Sequence, residues 1–115
     1  MVVRRVVPDI RTTAMAESRA FYVRLGLVEV MDLGWVVTLA SPTHPTAQVT
    51  LSTADATADV VPDLTIEVDD VDAAHDAMVA AGATIRHTLR DEEWGVRRFF
   101  VEDPSGRVVN VVAHR

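Results

Sequence analysis

Residues 62–82 read PDLTIEVDDVDAAHDAMVAAG, a strand pattern followed directly by a helix pattern. From Asp63 to Asp69 apolar and polar residues alternate, which is typical of a β-strand with one buried face. Asp69 or Asp70 can cap a helix, because an aspartate oxygen accepts a backbone N–H at a helix start. We therefore expect a strand over residues 63–69 and a helix over residues 71–81.

The first half of the chain has the same order of elements. Residues 2–11 are β-branched and partly alternating, which predicts a strand. Thr12 or Thr13 is positioned to cap a helix whose body is residues 16–25.

Two further features repeat between the halves. Gly26 and Gly82 each end a predicted helix, since glycine adopts a left-handed conformation without steric cost, and they lie about half the chain apart. Pro-Asp followed by an aliphatic residue also occurs in the first-strand region of each half, at 8–10 and at 62–64. This two-fold internal repeat constrains the fold more than any single motif does.

Three strands are predicted after each helix. They cover residues 27–31, 35–40 and 47–52 in the first half, and residues 84–90, 97–102 and 107–113 in the second. The sequence DPSG at 103–106 has the chemistry of a type I turn. The small, polar segment 54–61 is predicted to be a linker. We therefore expect a single α+β domain, residues 1–115, made of two βαβββ modules at 1–53 and 62–115.

Composition limits the possible functions. At 115 residues and 49% apolar content, the chain is sized for one domain with its own core. Cysteine is absent, which excludes disulfides, thiolate metal sites and cysteine nucleophiles. The net charge of −6 and the lack of a basic stripe argue against nucleic-acid binding. No signal-like or membrane-spanning run is present, so we expect a cytoplasmic protein without a membrane partner.

Strand alternation also assigns faces. In the fifth strand Leu64, Ile66 and Val68 point one way, and the polar residues point the other. The same alternation in the first and last strands of both halves identifies a set of polar residues, and this set is predicted to bind a ligand. The set is Asp9, Arg11, Thr50, Asp63, Thr65, Glu67 and Asn110. The alternative is a plain solvated sheet, but a polar set drawn from both repeats favours a groove.

Three pairs of motifs connect this pattern to a known family. They are ESRAFY at 17–22 with LGL at 25–27, VDDVDAA at 68–74 with AAGA at 80–83, and WGVRRFFV at 94–101 with DPSG at 103–106. In order and spacing they resemble the vicinal-oxygen-chelate superfamily of glyoxalases, bleomycin-resistance proteins and extradiol dioxygenases. The resemblance implies an eight-stranded sheet curled into a half-open cup that holds a ligand, usually completed as a homodimer. It also brings Trp94 near the cup, where it could stack on a flat ligand.

The resemblance further implies where metal-dependent members hold their four ligands. By position these fall on Val7, Thr50, Asp63 and Asn110, of which only Asp63 is a normal ligand for a divalent cation. A register shift of two residues would replace Val7 with Asp9 and give an oxygen-rich site better suited to Mg²⁺ or Mn²⁺. The expectation is a protein with no cofactor and no tightly held metal.

Three functions are compatible with these residues. The first is a protein that binds a small organic molecule without metal, and the missing ligand residues favour it. The second is a metal-dependent lyase, isomerase or dioxygenase of the glyoxalase type. The third is a metal-free catalyst with Asp9, Asp63 or Glu67 as general base, because carboxylates near other acids have raised pKa values. Whether the chain is an enzyme stays open at this point.

Two histidines have assignable positions. His75 lies mid-helix in line with Val71 and Met78, and it is predicted to pack against the sheet or its margin. His114 ends the last strand with the parity of Asn110, so it is within reach of a ligand on the polar face.

Overall fold

The computed structural model describes residues 1–115 and contains eight strands and two helices. They are β1 (Val3–Arg11), α1 (Met15–Arg24), β2 (Val28–Asp32), β3 (Val36–Ala40), β4 (Gln48–Ser52), β5 (Leu64–Val68), α2 (Val71–Ala80), β6 (Ile85–Asp91), β7 (Val96–Glu102) and β8 (Val108–His114). The predicted α+β class and the repeated order of one strand, one helix and three strands are confirmed. Most element ends agree with the sequence to within one or two residues, while residues 54–61 form neither helix nor strand.

The strands are hydrogen-bonded in the order β2-β3-β4-β1-β5-β8-β7-β6 as one mixed sheet. The chain divides into two compact units: an N-terminal unit, Val7–Val61, and a C-terminal unit, Met1–Val6 with Pro62–Arg115. Strand β1 begins in the C-terminal unit and ends in the N-terminal unit. In each unit one pair of strands is parallel, β1 with β4 and β5 with β8. No helix has the length and apolar character needed to cross a bilayer.

The core of the N-terminal unit is small. Val37, Leu39 and Leu51 are fully buried on neighbouring strands. Further apolar residues pack against them from β1, β4, α1 and the residue after Gly26, namely Ile10, Val49, Met15, Tyr22 and Leu27. The face of β3 and β4 that carries these residues is the apolar face of this unit.

The predicted cap of α1 is wrong. The N-cap residue is Ala14, and no side chain caps the helix. Thr12 lies two residues too early, and its hydroxyl accepts from the Ala14 amide at 2.9 Å in a local turn. The same hydroxyl is 2.9 Å from that of Ser18. A threonine used in this way stabilises the approach to the helix and leaves the first helical amides without a side-chain acceptor.

The core of the C-terminal unit forms where α2 covers one sheet face. Buried members are Val68, Val71, Ala74, Phe99, Val101, Val109 and Val111. Asp70 is the N-cap of α2, where its carboxylate accepts from the Ala73 amide at 3.0 Å, as predicted. His75 packs edge-on against Phe99 with ring centroids 4.9 Å apart, which supports its predicted place against the sheet.

Glycine conformations agree with the predicted helix ends. Gly26 and Gly82 have φ values of +107° and +75°, which a residue with a Cβ rarely adopts. Gly106 also has positive φ, and its amide donates to the Asp103 carbonyl at 3.0 Å to close the predicted turn.

Candidate functional site on the polar face of the C-terminal unit

The side of β5, β8 and β7 that faces away from α2 is called here the polar face. Strand register places Thr65 opposite Asn110, and Asn110 opposite Phe100. All three residues are buried, with exposed fractions of 8%, 9% and 0% respectively. A row of polar and aromatic side chains therefore crosses the middle of this face.

Asn110 has one atom without a hydrogen bond. Its Nδ2 donates to the Thr65 hydroxyl at 3.1 Å, while its Oδ1 is buried and accepts from no group of the protein. Burying an acceptor in this way costs about 1–3 kcal/mol. Such atoms are uncommon in folded proteins, and each calls for a partner from outside the chain, either water or a ligand.

Glu67 lies two residues after Thr65 on the same face of β5, and both of its carboxylate oxygens are paired. Its Oε1 is 2.5 Å from Arg5 Nε, and its Oε2 is 2.9 Å from His114 Nδ1. Burial by itself raises the pKa of Glu67, but the hydrogen bonds from His114 and Arg5 outweigh it and lower the pKa below its usual value. The raised pKa expected for a general base is therefore wrong for Glu67, which is a fixed, ionised acceptor at the margin of the polar face.

A buried ion pair between Arg98 of β7 and Glu92 of the β6–β7 turn borders the same face. The Arg98 guanidinium lies between the rings of Trp94 and Phe100, at 4.9 and 4.7 Å from their centroids. Its Nε and Nη2 donate to Glu92 Oε2 at 2.8 and 2.6 Å. The Glu92 side chain is completely buried. This stacked, charge-assisted contact attaches the β6–β7 turn, which carries Trp94, to strand β7.

Two more basic side chains approach Glu92. Arg90 Nε is 2.8 Å from Glu92 Oε1, and His87 Nε2 is 3.4 Å from Glu92 Oε2. The His87 ring is tilted against Phe100 at 5.0 Å. Sequence reasoning missed the cluster formed by His87, Glu92, Arg98 and Phe100. The one indication of it in the sequence is that Arg98 and Phe100 are two residues apart in β7, so their side chains lie on the same face.

The predicted site residues of the N-terminal unit share a face there. Asp9 is the register partner of Thr50, and Arg11 is the partner of Ser52. The Thr50 hydroxyl is 3.3 Å from that of Thr38 on the neighbouring strand. These contacts describe where Asp9, Arg11 and Thr50 lie, and their roles in binding stay predictions.

Asp63 makes hydrogen bonds to the backbone of β8. It is exposed and lies just before β5, where its Oδ2 accepts from the Val108 amide at 2.9 Å. Its own amide donates to the Val108 carbonyl at 2.8 Å. Asp63 therefore joins the starts of β5 and β8, and its predicted roles as ligand or base stay predictions.

Comparison with known proteins gives the family. A family model described as the Glyoxalase/Bleomycin resistance protein/Dioxygenase superfamily matches residues 3–111. The chain belongs to this superfamily. A search of curated protein sequences gave no significant match for this superfamily member.

Solved structures share the fold of this superfamily member at low sequence identity. A protein described as NAD-dependent benzaldehyde dehydrogenase from Legionella pneumophila is 14% identical, with a TM-score of 0.75 over 96% of this chain and 99% of that one. A superfamily member from Vibrio splendidus 12B01 is 18% identical, with a TM-score of 0.71 over 97% and 99%. Methylmalonyl-CoA epimerase from Mycobacterium tuberculosis is 19% identical, with a TM-score of 0.64 over 98% and 87%.

The residues at the four positions that the sequence resemblance assigns to metal ligands do not fit a transition metal. Val7 has no donor atom, and the Thr50 hydroxyl lies against that of Thr38. One carboxylate oxygen of Asp63 accepts from a backbone amide of β8. The other Asp63 oxygen and the neutral Asn110 Oδ1 are the remaining oxygens of this set, and two oxygens without an imidazole or thiolate bind zinc or iron poorly. No group of three or more His, Cys, Asp or Glu side chains is placed to hold a metal ion.

Proposed function

We propose that this superfamily member binds a small organic molecule on the polar face of its C-terminal unit, without a tightly held metal. The observation that carries the proposal is the buried Asn110 Oδ1, which accepts no hydrogen bond from the protein. A ligand hydroxyl or amino group would satisfy that atom and remove the cost of leaving it unpaired.

The surroundings favour a flat ligand that donates hydrogen bonds. Trp94 is partly exposed and is held in place by the guanidinium of Arg98 against its ring. A rigid aromatic side chain of this kind stacks on planar molecules. Glu67 adds an ionised acceptor, and the chain's net charge of −6 favours neutral or cationic ligands over anions.

Binding is tested with a panel of planar aromatic compounds that carry hydroxyl or amino groups, by thermal shift and then calorimetry. We expect at least one compound to raise Tm, because a ligand that binds only the folded state stabilises it. Asn110→Leu should lose this shift, while Asn110→Asp, which keeps an acceptor, should retain it. A panel without any shift, or an unchanged shift in Asn110→Leu, would contradict the proposal.

Metal content separates this function from a metal-dependent lyase, isomerase or dioxygenase. Elemental analysis of untagged protein purified without chelator should find far less than one equivalent of zinc, nickel, iron or manganese. The reason is the donor set, in which Asp63 and Asn110 supply one carboxylate and one amide. One equivalent per chain, lost in Asp63→Ala, would favour the metal-dependent enzyme instead.

We further propose that the chain is a cytoplasmic homodimer. In the N-terminal unit α1 buries no residue, and its Phe21 is 57% exposed, with Leu25 just after the helix 70% exposed. All five residues of β2 are exposed, including Val30 at 57%, and β2 is the first strand of the sheet order. Apolar edge strands favour pairing with a second copy.

Light scattering should give a mass of about twice 12.6 kDa, and Val30→Lys should reduce that mass. A monomeric parent would refute the proposal.

A further inference from the structure

Three charged or ionisable side chains join across β1, β5 and β8. Glu67 Oε1 is paired with Arg5 Nε at 2.5 Å, and Glu67 Oε2 with His114 Nδ1 at 2.9 Å. The Glu67 side chain is 15% exposed, whereas that of His114 is 56% exposed. A mostly buried carboxylate is thus fixed at both oxygens, while most of the imidazole is open to solvent.

We propose that His114 is the general base of a metal-free proton-transfer site, with Glu67 and Arg5 as positioning residues. A carboxylate that accepts the Nδ1–H of a histidine fixes the tautomer whose Nε2 carries the lone pair. Arg5 prevents the Glu67 carboxylate from rotating away. Because the pKa of Glu67 is lowered, the carboxylate stays ionised over the whole range in which histidines titrate.

The backbone holds His114 in place. It lies within β8, opposite the uncharged Val96 of β7. The next residue, Arg115, donates its amide to the Gly95 carbonyl at 2.8 Å, and its side chain pairs with Asp91 at 3.3 Å. Sites built on strands keep their geometry better than sites on mobile loops. Glu67 and Arg5 are therefore the charged groups that determine how His114 is oriented.

The position also indicates a substrate class. The β6–β7 turn that receives the Arg115 amide carries Trp94, which is held against Arg98. A planar aromatic molecule stacked on Trp94 would bring a ring proton to the end of β8. The inference rests on the proposed binding function, since the substrate occupies the same polar face. It adds a reaction, the removal of an acidic C–H proton.

Nitrobenzisoxazole is a planar probe for this chemistry. His114 Nε2 takes the proton from the ring carbon next to nitrogen, and the electrons of that C–H bond form a nitrile. The N–O bond breaks, and its electron pair leaves on the oxygen as a coloured phenolate. The imidazolium then returns its proton to water. The reaction needs no metal, oxidant or second substrate.

The test measures phenolate release as a function of pH for the full chain and four variants. His114→Gln should lower kcat by about 100-fold or more, the lower end of what a positioned base contributes. His44→Gln is the matched control, because His44 is an exposed loop histidine whose ring contacts Thr43, and it should leave the rate unchanged. His114→Gly should regain activity when imidazole is added.

Glu67→Gln tests the positioning role. It should lower kcat more than it changes KM and should shift the pH profile, which a merely structural contact would not do. Tm and circular dichroism of each variant establish that it is folded. An unchanged rate in His114→Gln, an equal loss in His44→Gln, or no turnover by the parent above free imidazole overturns the inference.

Binding of unreactive nitrobenzotriazole, measured by calorimetry, separates the two proposals. Binding without turnover of the reactive probe overturns the catalytic inference and leaves the binding function in place. Turnover that is lost in His114→Gln while nitrobenzotriazole still binds supports both. If neither compound is bound nor converted, the catalytic inference is overturned, and the binding function is decided by its own ligand panel.

Discussion

Helices α1 and α2 occupy equivalent places in the two repeats, yet α2 buries Val71 and Ala74 whereas α1 buries no residue. The capping residues differ in the same direction, since Asp70 caps α2 with its side chain and Ala14 leaves α1 uncapped. Two units with the same order of elements therefore need not be equally stable. The C-terminal unit carries more of its stabilising contacts in its interior, and the N-terminal unit leaves more apolar surface available to a partner.

The ion pairs of the two units show the same contrast. In the C-terminal unit Glu92 and Arg98 are almost fully buried and hydrogen-bonded at 2.6 and 2.8 Å. In the N-terminal unit Arg19 pairs with Glu29 where both side chains are 35% exposed. Exposed pairs contribute little because water and salt screen them, whereas breaking a buried pair leaves an uncompensated charge inside the protein.

The largest expected effect is that of breaking the buried pair. Glu92→Ala should lower the free energy of unfolding by about 3–5 kcal/mol, because Arg98 would be left buried without its carboxylate. The matched change Glu29→Ala should cost about 0–1 kcal/mol. Urea unfolding of both variants measures the difference. Equal losses of unfolding free energy in the two variants would mean that the buried pair of Glu92 stabilises the protein no more than the exposed pair of Glu29.

A smaller effect is expected from exchanging the helix caps. Asp70→Ala should destabilise the protein by about 1 kcal/mol, because the Ala73 amide loses its acceptor. Ala14→Ser should stabilise it by a similar or smaller amount, since α1 would gain the cap that it lacks. Thermal unfolding of the two variants measures both changes. Shifts of the same sign would show that the contrast between the caps does not determine helix stability.

Local patterns in the sequence predicted the elements well. The alternation around Leu64 and Thr65 placed them on opposite faces, and Gly82 and Asp70 marked the ends of α2. These features depend on residues close together in the chain. The failed cap at Thr12 shows the limit even there, because a hydroxyl can bond an amide two residues on without capping the helix.

The candidate site was predicted only in outline. Strand parity identified Glu67 and Asn110, but it gave no reason to pair Glu67 with Arg5, which lies 62 residues earlier. The pairing of Arg98 with Glu92 was also missed, because alternation does not show whether an arginine faces solvent or stacks between aromatic rings. Such contacts depend on how distant strands register, and a single sequence carries little information on that.

The division of β1 between the units has a consequence for synthesis of the chain on the ribosome. Residues 7–61, which make up the N-terminal unit, have all been translated before any residue of β5 exists. Residues 1–6 precede that unit in the chain but belong to the C-terminal unit, whose last strand ends at His114. The start of β1 is therefore synthesised before residues 7–61, yet its own unit is complete only after a further fifty or so residues have followed them. Residues 1–6 thus reach their final partners later than residues that are translated after them.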